Sequence, residues 1–134
     1  MIKVVIAVVL LAHGIGHSMG LLQMLKIATV NPAWRGDSWL LTGPLGNSGT
    51  QLIGASIWML AIAGFAVLAA VVAGWLPESW FTPLAVASSA ISLAGVVLFP
   101  VAFPTGSTVG AVVIDVLVLV AATWFRWLPS ELAR

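Results

Sequence analysis

The sequence predicts an all-α fold: an integral membrane four-helix bundle, running up-down-up-down as a single domain. Three observations predict it. Apolar residues make up 61% of the 134 positions and charged residues 7%, against about 25% charged in an ordinary soluble domain. Nine charged side chains cannot cover a soluble fold of this size, so lipid is the natural solvent for most of the chain. The apolar residues fall into four stretches, each near the ~20 residues that cross a ~30 Å hydrocarbon layer. Proline, glycine and polar residues separate the stretches, and in lipid only a helix satisfies its own backbone over such a length.

The first helix is expected over about 4–25. Lys3 followed by the apolar run from Val4 to Ala12 has the form of a signal peptide, but the apolar character continues through Leu25 and no Ala-x-Ala site follows. The segment therefore reads as an uncleaved first span. The second helix is expected over about 51–76, the third over about 84–103 and the fourth over about 109–127. Pro100 is expected to kink the third near its end.

Pro77 to Pro83 and Pro104 to Thr108 are short links, which force antiparallel neighbours. The connection over 26–50 is longer and holds Trp34, Arg35, Asp37, Trp39 and four glycines. It is either a surface cap or a partly helical segment lying in the headgroups, and the Trp39-Leu40-Leu41 patch, which needs an apolar floor, favours the second. Lys3, Arg126 and Arg134 stand on the side of the termini, Lys26 and Arg35 on the other. Three against two favours cytoplasmic termini in a bacterial inner membrane. Trp75, Trp80, Trp124 and Trp127 form one aromatic belt, and Trp34 and Trp39 the other.

The absence of cysteine rules out disulfides, thiolate metal sites and cysteine nucleophiles. With a net charge of +1 and no basic patch, nucleic acid is not an expected partner. The informative residues are the polar ones inside the spans, because burying them in lipid is costly. His13 and His17 are four apart and share one helix face, about 6 Å apart along the axis. That face also holds Ile6, Val9, Gly16, Gly20 and Met24, and Gly16 with Gly20 has the GxxxG spacing of close helix packing. Asp115 is the one carboxylate inside an expected span. Counted from the expected helix centres, its depth matches that of His17 to about 1 Å, which pairs Asp115 with the His17 imidazole if the first and fourth helices are neighbours. Ser88, Ser92 and Gly95 form a small polar packing seam on the third helix. Trp58, about two turns into the second, is a stacking surface for a ligand or a filler of the core.

His13, His17 and Asp115 together make at most three metal ligands, with a position left for water. Two histidines are too few for a membrane di-iron oxygenase. Neighbouring histidines on one helix cannot ligate both faces of one haem iron, so a haem needs a second chain or another ligand. Ser18 points away from the histidine face, and no nucleophile elbow is present, so serine catalysis is not expected.

The segment Leu11-Ala-His13-Gly-Ile-Gly-His17-Ser-Met-Gly20 resembles the opening of a family of small bacterial four-helix membrane proteins whose first helix reads roughly HGxxHxxGF. The resemblance extends weakly to Gly54-Ala-Ser-Ile-Trp58 and to the stretch from Phe103 to Asp115, where the related pattern often has asparagine in place of Asp115. The chain is also distantly similar to DoxX-like four-helix proteins. The resemblance implies a topology and no reaction.

Three functions are therefore expected in order. The first is a non-enzymatic membrane protein with an intramembrane site of His13, His17, Asp115 and Trp58 for a small ligand, proton or metal ion, serving transport or a larger assembly. The second is a redox module holding haem or quinone through the histidine pair. The third is an interaction subunit docking through Gly16 and Gly20 or through Ser56, Ala63 and Ala70. The lipid bilayer is the expected partner, together with a second copy or another membrane protein.

Overall fold

The computed structural model describes residues 1–133 and is all-helical, with no strand among the described residues. Five helices follow in order: α1 (Ile2–Gly16), α2 (Ser18–Met24), α3 (Thr42–Ala73), α4 (Phe81–Leu98) and α5 (Thr105–Thr123). Short 3-10 turns occupy Glu78–Trp80 and Pro129–Ala133. Four stretches are long and apolar enough to cross a membrane: Ile2–Met24, Thr42–Ala73, Glu78–Leu98 and Thr105–Thr123.

α1 and α2 form one span with a tightened turn at its middle. The backbone N–H of His17 bonds Gly14 O, three residues back, and α-helical bonding resumes at Leu21 N to His17 O. α3 starts at Thr42, so 42–50 belongs to a helix rather than to the connection. Pro44 sits in its first turn, where a missing N–H costs nothing. Gly46, at φ 67 and ψ −179, breaks the axis near the start of α3. Gly74 ends α3 in the left-handed conformation, as C-terminal glycines commonly do.

The third span differs from expectation at both ends. Pro83 lies inside the first turn of α4. Pro100 does not kink that helix, because the helix stops at Leu98 and Phe99 leaves helical geometry (φ −129, ψ 62) before it. The residue preceding a proline is pushed out of the α region. The link between α4 and α5 is therefore 99–104, and α5 begins four residues earlier than the sequence suggested.

α1 and α2 pack on α3, α3 on α4, and α4 on α5, while α1 and α5 touch sparsely. Two apolar clusters result. Leu10, Phe65, Leu68, Val72, Phe81 and Ala122 fill the end nearer the chain termini. Met24, Trp34, Trp58, Phe99 and Phe103 fill the other. α5 is the most peripheral helix, burying only Asp115 and Ala122.

Residues 26–41 of the connection form a cap, one of its two expected forms. Gln23 holds it with four bonds: its Nε2 donates to Asn31 O (2.7 Å) and Trp34 O (2.6 Å), and its Oε1 accepts from Val30 N and Asn31 N. The connection in turn supplies donors to carbonyls at and beyond the end of α4. Trp39 Nε1 donates to Val97 O, Ser38 Oγ to Leu98 O and Asn31 Nδ2 to Val101 O, each at 2.7 Å. A helix end leaves its last carbonyls without partners, and these side chains provide them. Trp34, expected in an interfacial belt, is buried in the second cluster, its indole N–H on Asp37 O. Trp39 does remain exposed.

Candidate functional site

Between the two apolar clusters lies one polar layer built from three spans. His13 comes from α1, His17 from the α1–α2 junction, Ser92 from α4 and Asp115 from α5; all four are buried. His13 Nε2 stands 2.9 Å from Asp115 Oδ1. Ser92 Oγ donates to Asp115 Oδ2 at 2.6 Å and lies 3.0 Å from His17 Nε2. The four side chains form a single chain of hydrogen bonds across the bundle.

The donors in that chain are determined by its acceptors. A carboxylate only accepts, so with Asp115 ionised His13 presents Nε2–H to it. The Ser92 hydroxyl proton is spent on Asp115, so His17 must present Nε2–H to Ser92. Neutral imidazoles bonded in this way carry their lone pairs on Nδ1. Neither Nδ1 has a hydrogen-bond partner among the described residues.

Aromatic rings hold the imidazoles in place. The His13 ring meets Phe65 edge-to-face at 4.5 Å, and His17 stacks on Trp58 at 5.5 Å with 13° between the planes. The two imidazoles are 4.9 Å apart at 77°. Trp58 has no exposed surface and is wedged among His17, Phe99 and Phe103. Its indole N–H and the Ser89 hydroxyl are buried without a partner among the described residues. Trp58 therefore supports His17, and any contact it makes with a ligand passes through that ring.

The direct partner of Asp115 is His13, not His17 as the depth argument suggested. The cause is the earlier start of α5, which places Asp115 ten residues from the end of its span rather than six. His13 stands eleven residues from the matching end of the first span, at Met24, and His17 only seven. Ser92, six residues from Leu98, lies at the depth of His17 and completes the link. Its role as a bridge was missed because it read as part of a packing seam. The available signal was a serine within a bilayer-length apolar stretch, which needs a partner for its hydroxyl; its depth was not readable, since an end at 103 puts Ser92 eleven residues from it.

The expected metal set is not assembled. Asp115 spends one oxygen on each of His13 and Ser92, and the two Nε2 atoms point into different bonds. Among the described residues no group of three His, Cys, Asp or Glu side chains is arranged to hold an ion. The near-perpendicular imidazoles, both engaged at Nε2, also do not flank a haem face.

The glycines divide their roles. A Cβ on Gly20 would lie 2.9 Å from Phe103 Cζ and 3.0 Å from Trp58 Nε1, while one on Gly16 would meet nothing within 4 Å. Gly16 and Gly20 are thus not one packing face: Gly20 admits the aromatic pair, and Gly16 opens onto a groove.

That groove lies between the first and fourth spans, where α1 and α5 touch sparsely. One section, about 360 Å³, is lined by Val9, His13, Gly16, His17, Ser107 and Ile114 among others. The adjoining section, about 440 Å³, runs past Val5, Leu10, Leu117 and Val118 to Trp127. Val9 and Ile114 line both. Compared with known proteins, the chain matches no family model, no curated protein and no solved structure.

Proposed function

We propose that this is a multi-pass membrane protein of the bacterial inner membrane, its spans alternating in direction, which binds a small ligand at His13 and His17 inside the bilayer. It acts without catalysis, in transport or within a larger membrane assembly. The observation that carries this reading is the His13–Asp115–Ser92–His17 chain of hydrogen bonds beside an open groove. Packing alone needs no such arrangement. Four buried polar groups drawn from three spans cost desolvation that apolar residues avoid, and this chain leaves both Nδ1 atoms without a hydrogen-bond partner on two residues that line a groove. Asp115 orients His13, and Ser92 orients His17, as a carboxylate or hydroxyl orients an imidazole that has work on its other nitrogen. The resemblance of the first helix to small bacterial four-helix proteins supports the topology.

A redox reading keeps one observation in its favour, the stacked His17–Trp58 pair beside a groove able to admit a quinone ring. The interaction-subunit reading has the outward Ser56, Ala63 and Ala70 face, although Ser56 already spends its hydroxyl on Leu52 O.

Native mass spectrometry of the gently extracted protein, beside the His13→Ala/His17→Ala variant, tests the proposal. The expected result is a bound species that the variant loses while keeping its helix content. If every bound species and the unfolding curve are unchanged in the variant, the ligand site does not exist.

A further inference from the structure

We infer that the groove between the first and fourth spans holds a single-chain, neutral-headed amphiphile whose hydroxyl donates a hydrogen bond to one imidazole Nδ1, that of His13 or of His17. The inference rests on the ligand-site reading above and names the class of ligand.

Four observations carry it. The two sections of the groove adjoin, since Val9 and Ile114 line both. Below the histidines it is walled by Val5, Ile6, Leu10, Leu117 and Val118. From Val5 to His13 the first span rises about 12 Å at ~1.5 Å per residue, which suits one extended hydrocarbon chain and not a compact polar solute.

The head is constrained by depth. His13 is the middle residue of the 23-residue span Ile2–Met24. A phosphate or carboxylate carried there would leave water for the centre of the hydrocarbon, at high cost. No Lys or Arg lines either section to receive it, and the buried Asp115 behind His13 would repel it. A neutral head is therefore selected.

The hydrogen-bond chain then selects the type of neutral head. In the tautomers that place Nε2–H of both rings in those bonds, the imidazoles offer acceptors at Nδ1. An acceptor needs a donor, and a hydroxyl supplies one where an ether or ester oxygen does not. The Ser107 hydroxyl, on the same section of groove, is the one further side-chain polar group there. The ligand class is thus a long-chain or prenyl alcohol, or a ring hydroxyl on such a chain.

The test uses the full chain in phosphatidylcholine nanodiscs, titrated with hexadecanol, geranylgeraniol, hexadecyl methyl ether and hexadecanoate, with bound mass read by native mass spectrometry. One alcohol per chain is expected, with the ether and the carboxylate at least tenfold weaker. Val9→Trp fills the waist of the groove from an exposed position outside the core. It should reduce alcohol binding at least tenfold while leaving the imidazole ¹⁵N shifts of His13 and His17 in place. Equal binding of alcohol and ether, or no binding of either alcohol, overturns the assignment of the head. Alcohol binding that survives Val9→Trp but is lost in His13→Ala/His17→Ala overturns the groove and keeps the histidine site. Binding lost in Val9→Trp but intact in the double alanine variant overturns both the head assignment and the ligand-site reading.

Discussion

His13 and Asp115 are 102 residues apart in the chain, and their side chains meet at 2.9 Å in the middle of the bundle. The contact joins the first span to the last, two helices that otherwise touch sparsely. Because α5 buries only Asp115 and Ala122, the carboxylate is both the centre of the polar layer and one of the two buried residues of the outermost helix.

Removing the carboxylate and replacing it by an amide should therefore differ. Asp115→Ala strands the partners of two interhelical bonds, and a loss of about 1–3 kcal/mol is expected, since such bonds in membranes contribute about 0.6–2 kcal/mol each. Asp115→Asn should cost under about 1 kcal/mol, because an amide still accepts from His13 and gains a donor for Ser92. Unfolding in graded sodium dodecyl sulfate measures both. Equal losses would show that charge, not hydrogen bonding, holds α5.

The same Asp115→Asn change should reverse the direction of the chain of bonds. An amide N–H donating to Ser92 frees the serine proton for His17 Nε2, so His17 should move its own proton to Nδ1. Solid-state ¹⁵N spectra of labelled histidine distinguish the two tautomers. A His17 that keeps Nε2–H in the variant contradicts the donor assignment.

Ser92 is the sole hydrogen-bonded link between His17 and the rest of the layer among the described residues. Ser92→Ala and His17→Ala break one shared bond, so their stability losses should not add. A coupling of about 0.5–3 kcal/mol is expected for side chains in one network. Strict additivity in the double variant would mean that the 3.0 Å contact contributes nothing.

Gly20→Ala and Gly16→Ala form a matched pair four residues apart. At Gly20 the added methyl meets two packed rings, and overpacking of this kind costs about 1–3 kcal/mol. At Gly16 it enters open groove, so the helix gains up to about 1 kcal/mol in propensity. Thermal unfolding in detergent ranks the two, and a Gly20→Ala protein as stable as Gly16→Ala would refute the close approach of Trp58.

Gln23 satisfies four backbone groups of the connection with one side chain. Gln23→Leu should leave the spans intact and free that segment. Amide exchange at Val30 and Asn31 should accelerate at least tenfold, while Leu68 and Val72 in α3 keep their protection. Unchanged exchange at Val30 would show that the cap is held from elsewhere.

The four bilayer-length apolar helices were legible in the sequence because such a run in a chain so poor in charge admits few other forms, and the histidine pair was legible because imidazoles inside such a run stand out. The ends of the helices were less so. Pro83 read as a break, yet a helix tolerates proline in its first turn. Pro100 read as a kink, yet its effect falls on Phe99, one residue earlier. That small error moved Asp115 by a turn and exchanged His17 for His13 as its partner. Composition and spacing by themselves determined the helical class, the number of spans and which polar residues need partners, since these follow from the energetics of each segment in its solvent. Which imidazole faces which oxygen, the bridging of Ser92, the burial of Trp34 and the groove left between α1 and α5 were decided by tertiary structure alone. Each depends on how helices are offset and which pairs touch, and residues 102 positions apart carry no local record of that.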